Sequence, residues 1–231
     1  MKKIYFLIAA TAASFSGYSQ FSLGLQLANT ISHTDASPSK SATAFGGNVQ
    51  YKPLDYLAVK GNLNVGKLKG GDDSEQSLMS FKNSFVQADI NLKFYPFGLA
   101  NTSASKTMKY LSSLYGGLGI GMIDNNTTIN QLKAESFRFM GDYKGAEFVY
   151  PVELGFELPL GSINERPKFS LNAFYRINFT ASDKIDGYEP NLASNKAKDS
   201  YTSFGIGINY HFGFSKKTTT PGTSEKPKFV D

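Results

Sequence analysis

The stretch 202–214 alternates without a break. Thr202, Phe204, Ile206, Ile208, Tyr210, Phe212 and Phe214 share one parity, and Ser203, Gly205, Gly207, Asn209, His211 and Gly213 share the other. A period of two marks a strand whose two faces meet different surroundings. Residues 168–180 repeat the pattern, with Phe169, Leu171, Ala173, Tyr175, Ile177 and Phe179 opposite Ser170, Asn172, Phe174, Arg176 and Asn178. In residues 84–95 the polar parity holds Gln87, Asp89, Asn91 and Lys93, a set that a water-soluble two-layer sandwich does not bury on its inner face. A hydrated or ion-paired lumen accepts them, with the aliphatic parity facing lipid.

Only a helix or a closed barrel satisfies every backbone group inside a bilayer. The apolar run Ile4–Ala13 is shorter than the ~20 residues a membrane helix needs. With Lys2 and Lys3 before it and Gly17, Tyr18, Ser19 after it, residues 1–19 read as a signal peptide. Spanning therefore falls to strands of about 9–11 residues. Residues 147–158 supply one, setting Phe148, Tyr150, Val152, Leu154, Phe156 and Leu158 against Glu147, Val149, Glu153, Gly155 and Glu157. Pro151, on the polar parity, marks a bulge or a weakly paired position. Residues 21–31, 43–51, 56–66 and 110–123 complete a set of eight. The fold class expected is all-β: an eight-stranded antiparallel up-and-down transmembrane β-barrel over 20–214, with both mature termini periplasmic.

Connection lengths fit that orientation. Segments 32–42, 67–83, 124–146 and 181–200 are long and polar, as outside loops are, whereas 52–55 and 159–167 are tighter; 96–109 is the long exception. Aromatic residues stand at nearly every periplasmic strand end, among them Phe21, Tyr51, Tyr56, Phe94, Tyr110, Phe156, Phe169 and Phe212. Amphipathic rings favour headgroup depth. Residues 215–231 turn abruptly to Lys, Thr, Pro, Ser and Glu and read as a flexible periplasmic tail.

Cysteine is absent, which excludes disulfides, thiolate metal sites and cysteine nucleophiles. Of the net charge of +5, Lys2 and Lys3 contribute +2 and the tail another +2, its four lysines set against Glu225 and Asp231, so no clustered basic face suggests nucleic acid as a partner.

The segments Asn91, Leu92, Lys93, Phe94, Tyr95, Pro96, Phe97 and Gly116, Gly117, Leu118, Gly119, Ile120, Gly121 resemble the outer-membrane β-barrel family found in Bacteroidota, related in architecture to the eight-stranded transmembrane domain of OmpA-like proteins. The closing strand adds the pattern of an assembly signal in Ser203, Gly205, Ile208, Tyr210 and Phe212. The resemblance implies insertion by the barrel-assembly machinery. The chain departs from full-length OmpA-like proteins in lacking their peptidoglycan-binding domain, so cell-wall anchoring is not carried over.

Six inward charges are the candidate site: Lys60, Lys93 and Arg176 against Asp89, Glu153 and Glu157. They balance in sign and are expected to neutralise one another as a lumen charge network. Eight strands leave an interior about wide enough for side chains alone, so a structural plug is favoured over an ion path. Gly117, Gly119 and Gly121 recur with period two and no helix signal follows, which speaks against a phosphate loop. Asp183, Asp186 and Glu189, like Asp72, Asp73 and Glu75, read as solvated loop residues rather than calcium ligands, since EF-hand spacing is missing. His33 and His211 are the sole candidate imidazoles, and neither sits in a nucleophile motif. No catalytic residue, metal or cofactor is expected. The reading is a non-enzymatic barrel acting through loops, lipid face or tail, an accessory subunit of a larger outer-membrane complex. Its partners are outer-membrane lipid and other outer-membrane or periplasmic proteins. A small gated channel, a lipid-A-modifying enzyme and a soluble barrel of lipocalin type, with its apolar face turned inward, are the alternatives.

Overall fold

A computed structural model describes residues 20–72, 79–99, 106–132, 137–160, 168–191 and 198–212. The putting-together of strands follows chain order. Eight of them, β1 (Gln20–His33), β2 (Ser39–Leu54), β3 (Leu57–Gly71), β4 (Met79–Phe94), β5 (Leu114–Leu132), β7 (Tyr143–Leu160), β8 (Phe169–Thr180) and β10 (Ser200–Phe212), close into one antiparallel barrel. Two short strands, β6 (Phe137–Met140) and β9 (Tyr188–Pro190), form a separate ribbon within the connections after β5 and β8. Closure is made by β1 and β10, paired from Phe21↔Phe212 to His33↔Ser200. Residues 1–19 and 213–231, with the expected signal peptide, Phe214 and the tail, lie outside the described residues.

The parity of the sequence becomes the inside and outside of the wall. Leu25, Leu63, Ile90, Leu118, Leu154, Phe204 and Ile206 are each more than half exposed, while Gln26, Asn62, Asn91, Asn172 and Asn209 are buried in the lumen. The inverted, soluble arrangement is thereby overturned: the apolar face is the outer one. Among the described residues no helix is long and apolar enough to cross a membrane; the strands are the spans. At the rim where β1 begins and β10 ends, Phe21 packs on Tyr51 at 4.7 Å, Phe169 on Tyr210 at 5.2 Å, and Tyr56 edges onto Phe94 at 6.4 Å. This is the terminus-side rim.

Several boundaries differ from expectation. Residues 106–111 form a short helix, α1 (Lys106–Leu111), so the fifth strand starts at Leu114 rather than at 110. The segment lacks alternation and meets its own hydrogen-bond needs, Ser112 N–H donating to the Met108 carbonyl at 2.9 Å, where no neighbouring strand offers partners. At the opposite, loop-side rim the strands run past the apolar band: β3 to Gly71, β4 from Met79 and β5 to Leu132. Much of what reads as loop is wall. Pro151 produces no bulge. The β5–β7 ladder skips from Leu118↔Val152 to Gly121↔Val149 without changing register, because a residue without an N–H leaves a gap in the ladder.

Candidate functional site

The lumen is built in layers. In the middle layer Glu153 of β7 receives Arg176 of β8, its direct cross-strand neighbour, through Nε at 2.7 Å and through Nη2. The Tyr115 hydroxyl donates to the other carboxylate oxygen at 2.7 Å, and Lys60 approaches it at 3.5 Å. Asp89 of β4 accepts from Asn62 and Gln87, each at 2.8 Å, and from Asn91, with Arg176 Nη1 at 3.5 Å. One guanidinium thus lies between two carboxylates.

The next layer toward the terminus-side rim centres on Glu157. Tyr95 donates to it at 2.8 Å, Ser170 at 3.0 Å and Lys93 at 3.3 Å. Lys93 also donates to Gln50 at 2.9 Å and lies 3.5 Å from the centre of the Tyr115 ring. All six charges are buried and lie in these two joined layers. Buried ions persist only when paired and hydrogen-bonded, and here both conditions are met by named partners. Room for them comes from β5. Lys93, Asn91 and Asp89 face Gly117, Gly119 and Gly121 across the ladder, and a Cβ on Gly121 would lie 2.3 Å from the Ala88 carbonyl oxygen.

Sequence reasoning missed the third layer. Ile185, from the segment between β8 and β9, is fully buried among Leu68, Phe81, Phe85, Ile123 and Val149 in the loop-side half of the barrel. Its carbonyl accepts from Thr127 Oγ1 at 2.7 Å and Asn83 Nδ2 at 2.9 Å, and its N–H donates to Asp199 at 2.8 Å. The connection folds into the mouth as an apolar stopper. Asp183 and Asp186, expected on a solvated loop face, are buried with it, and Glu189 is half-buried. The only sequence signal is one isoleucine in an otherwise polar run.

Asp186 and Asp199 dock this segment at an electrostatic cost. Burial pushes the Asp186 carboxyl up to about 7, with the Asp35 and Asp183 charges adding to the rise against the Tyr188 N–H, which favours the anion. Burial likewise raises Asp199, with Asp186 and Asp183 beside it. The facing groups are Asp35 from the β1–β2 turn, Lys184 and Tyr188 on the segment itself, and Glu147 of β7, which accepts from Ser182. A raised folded-state pKa contributes stability that is full below the ordinary carboxylate range and is lost as pH rises through the folded value. Docking of residues 181–187 is therefore expected to loosen as pH rises through about 7. Amide exchange of Ile185, compared at about pH 5.5 and about pH 8.5 after correction for intrinsic rates, checks this; equal protection at both would refute it.

Among the described residues the lumen holds small cavities, two of which share no lining residue. One of about 150 Å3 opens beside Lys52, Tyr95 and His211, and one of about 20 Å3 lies beside Arg176, Asn178 and Tyr201. The larger has polar walls, the smaller about the space of one water. A wider depression, about 1000 Å3, lies in the outer wall over Gly47, Gly61 and Ala88, where side chains on the lipid parity are small.

His211 Nε2 lies 2.8 Å from Ser170 Oγ and 3.8 Å from Glu157. Serine and carboxylate both approach the same ring nitrogen, whereas a catalytic relay places the acid on the other one. His33 meets Thr202 Oγ1 at 3.2 Å. Among the described residues no group of three or more His, Asp or Glu side chains is arranged to hold a metal ion; Asp73 and Glu75 lie outside them. Of the assembly pattern, Ser203 and Gly205 face the lumen, and Ile208, Tyr210 and Phe212 face outward against Leu25, Leu23 and Phe21 of β1.

Comparison with solved structures finds small bacterial barrels. Neisserial surface protein A is 14% identical, with 83% of this chain and 97% of that chain covered and a TM-score of 0.47. Ail, the attachment invasion locus protein of Yersinia pestis, is 13% identical over 84% and 99%, with a TM-score of 0.47. CarO of Acinetobacter baumannii is 12% identical over 81% and 97%, with a TM-score of 0.44. No curated protein matches in sequence. The family model described as outer membrane protein beta-barrel domain matches residues 4–212, and the chain belongs to that family.

Proposed function

We propose that this barrel is a non-enzymatic integral protein of the outer membrane that acts through its surfaces, as a structural or interaction subunit of a larger outer-membrane assembly. Its long connections face outward and its termini the periplasm. The observation that carries the reading is the filled lumen: two ion-paired layers and an apolar stopper occupy the space through which a solute would pass. A barrel closed in this way offers its rims and its lipid face to partners. Gentle detergent extraction from native membranes, followed by quantitative mass spectrometry, tests it. Stoichiometric co-recovery of other envelope proteins supports the subunit role, and recovery alone sinks it.

The second reading, a gated ion channel, draws on Arg176 lying between Glu153 and Asp89, where exchange of partners would shift the block. In planar bilayers the wild-type protein is expected to be electrically silent. Discrete single-channel openings would favour the channel instead. A lipid-modifying role predicts altered lipid A mass spectra on His33→Ala; unchanged spectra are expected.

A further inference from the structure

Lysines gather on one side of the loop-side rim. Lys40 of β2 stands opposite Lys69 of β3, and Lys69 opposite Lys82 of β4, so three ammonium side chains share one row across adjacent strands. One step toward the membrane, Lys67 of β3 begins a second row that continues through Ser84 and Asn126 to Lys144 of β7. Lys67, Lys82 and Lys144 are exposed and Lys69 half-buried on the outward parity of the wall, and Lys40, exposed, is set opposite Lys69 by a register shift in β2 between Lys40 and Ala44. Directly below them the apolar band ends in Phe45, Val65 and Val86. Strands β1, β8 and β10 contain no lysine, so the rows across the wall lie on one side of the barrel, while Lys184 and the exposed Lys198 stand in the connection between β8 and β10.

Like charges directly opposite on neighbouring strands destabilise a sheet, and a row of three doubles the conflict. Among the described residues, Asp72 meets the group through Lys40 at 3.0 Å. Asp124, on β5 beside Val86, is a further acidic residue at the band's edge. The row begun by Lys67 lies about 7 Å, and the row of three about 13 Å, of strand rise above the last apolar residues. With strands tilted by about 40°, the lower row stands at the depth of lipid phosphates and the long side chains of the upper row reach down to it, where charges are less screened than in bulk water.

We infer that Lys40, Lys67, Lys69 and Lys82 form a binding site for the negatively charged phosphate of a membrane lipid in the leaflet at the loop-side rim. The lipid's acyl chains lie against the apolar outer wall of β2–β4 while its phosphate bridges the opposed ammonium groups. The site needs no assembly partner and stands whether or not the barrel is a subunit.

The test uses the full-length protein in nanodiscs of phosphatidylcholine, alone or doped with diphosphorylated lipid A, and the Lys40→Gln, Lys69→Gln, Lys82→Gln triple variant beside it. Native mass spectrometry should show lipid A retained on the wild type, with retention falling about fivefold for each lysine removed. Lys82→Gln alone should fall between wild type and triple variant, and heat-modifiable gel migration verifies that each variant is folded. The difference in urea midpoint between triple variant and wild type should change sign with lipid A. The triple variant unfolds at higher urea than wild type in pure phosphatidylcholine, where repulsion is relieved, and at lower urea with lipid A. Equal lipid A retention by wild type and triple variant, or no reversal of the urea order, would overturn the site. Equal stabilisation of the wild type by inorganic phosphate in pure phosphatidylcholine would overturn the lipid as its source.

Discussion

Glu153→Gln is expected to cost about 3–5 kcal/mol of folding free energy, read as a lower urea midpoint in lipid vesicles. The amide keeps the shape of the side chain but a single accepting oxygen, for Tyr115 or for Arg176, so the loss reports the charge together with one buried hydrogen bond. Arg176 and Lys60, both buried, are then left with Asp89, the more distant Glu157 and neutral amides. Truncating one side of a buried pair is costly because the partner ion stays out of water. A second exchange separates this from packing. Adding Arg176→Met to Glu153→Gln removes the stranded guanidinium and is expected to recover about half of the loss, since an apolar replacement of a buried pair is often near neutral. A single-variant loss under about 1 kcal/mol would mean that the layer is hydrated and does not hold the barrel together.

Ile185→Asp is expected to release the stopper while leaving the barrel closed. The residue gives its side chain to the apolar cluster and both backbone groups to Thr127, Asn83 and Asp199. A carboxylate there would be buried without a cation, beside Asp186 and Asp199, at a cost of about 2–5 kcal/mol set against the docking of one segment. Protease should then cut between residues 181 and 187 rapidly in the variant and slowly in the wild type, with the strands intact. The two layers beneath remain, so the variant alone is expected to stay electrically silent. Openings should appear when Ile185→Asp is joined to Glu153→Gln with Arg176→Gln. Conduction by Ile185→Asp by itself would show that the ion-paired layers do not seal the lumen.

How far the sequence reached is set by contrast between parities. All eight barrel strands are readable because an aliphatic row faces a polar one inside the bilayer, and the six charges are readable as inward because each falls on the polar row. Their partners are less so. Glu153 meets Arg176 because β7 and β8 are adjacent in chain and register, but the approach of Lys60, from three strands away in the barrel order, depends on stagger and on side-chain length. Beyond the apolar band the contrast disappears. Asn83, Asn125 and Thr127 face inward and are buried, while Lys82, Asn126 and Thr128 face outward, polar on both sides, so the wall there reads as loop. Ile185 gives a single apolar residue and no period, and its burial depends on four other strands. Residues 106–111 are too short for a helical period to emerge.

The ribbon of β6 and β9 ties together connections that lie far apart in the chain. Met140 pairs with Tyr188, and Gly141 N–H donates to the Gly187 carbonyl at 3.1 Å, where Gly187 takes a left-handed φ of 83°. With this rim facing outward, as proposed above, an antibody or phage protein approaching it meets a discontinuous epitope drawn from both connections. Short peptides copied from either one reproduce half of it, and sequence drift in one alters how the other is recognised.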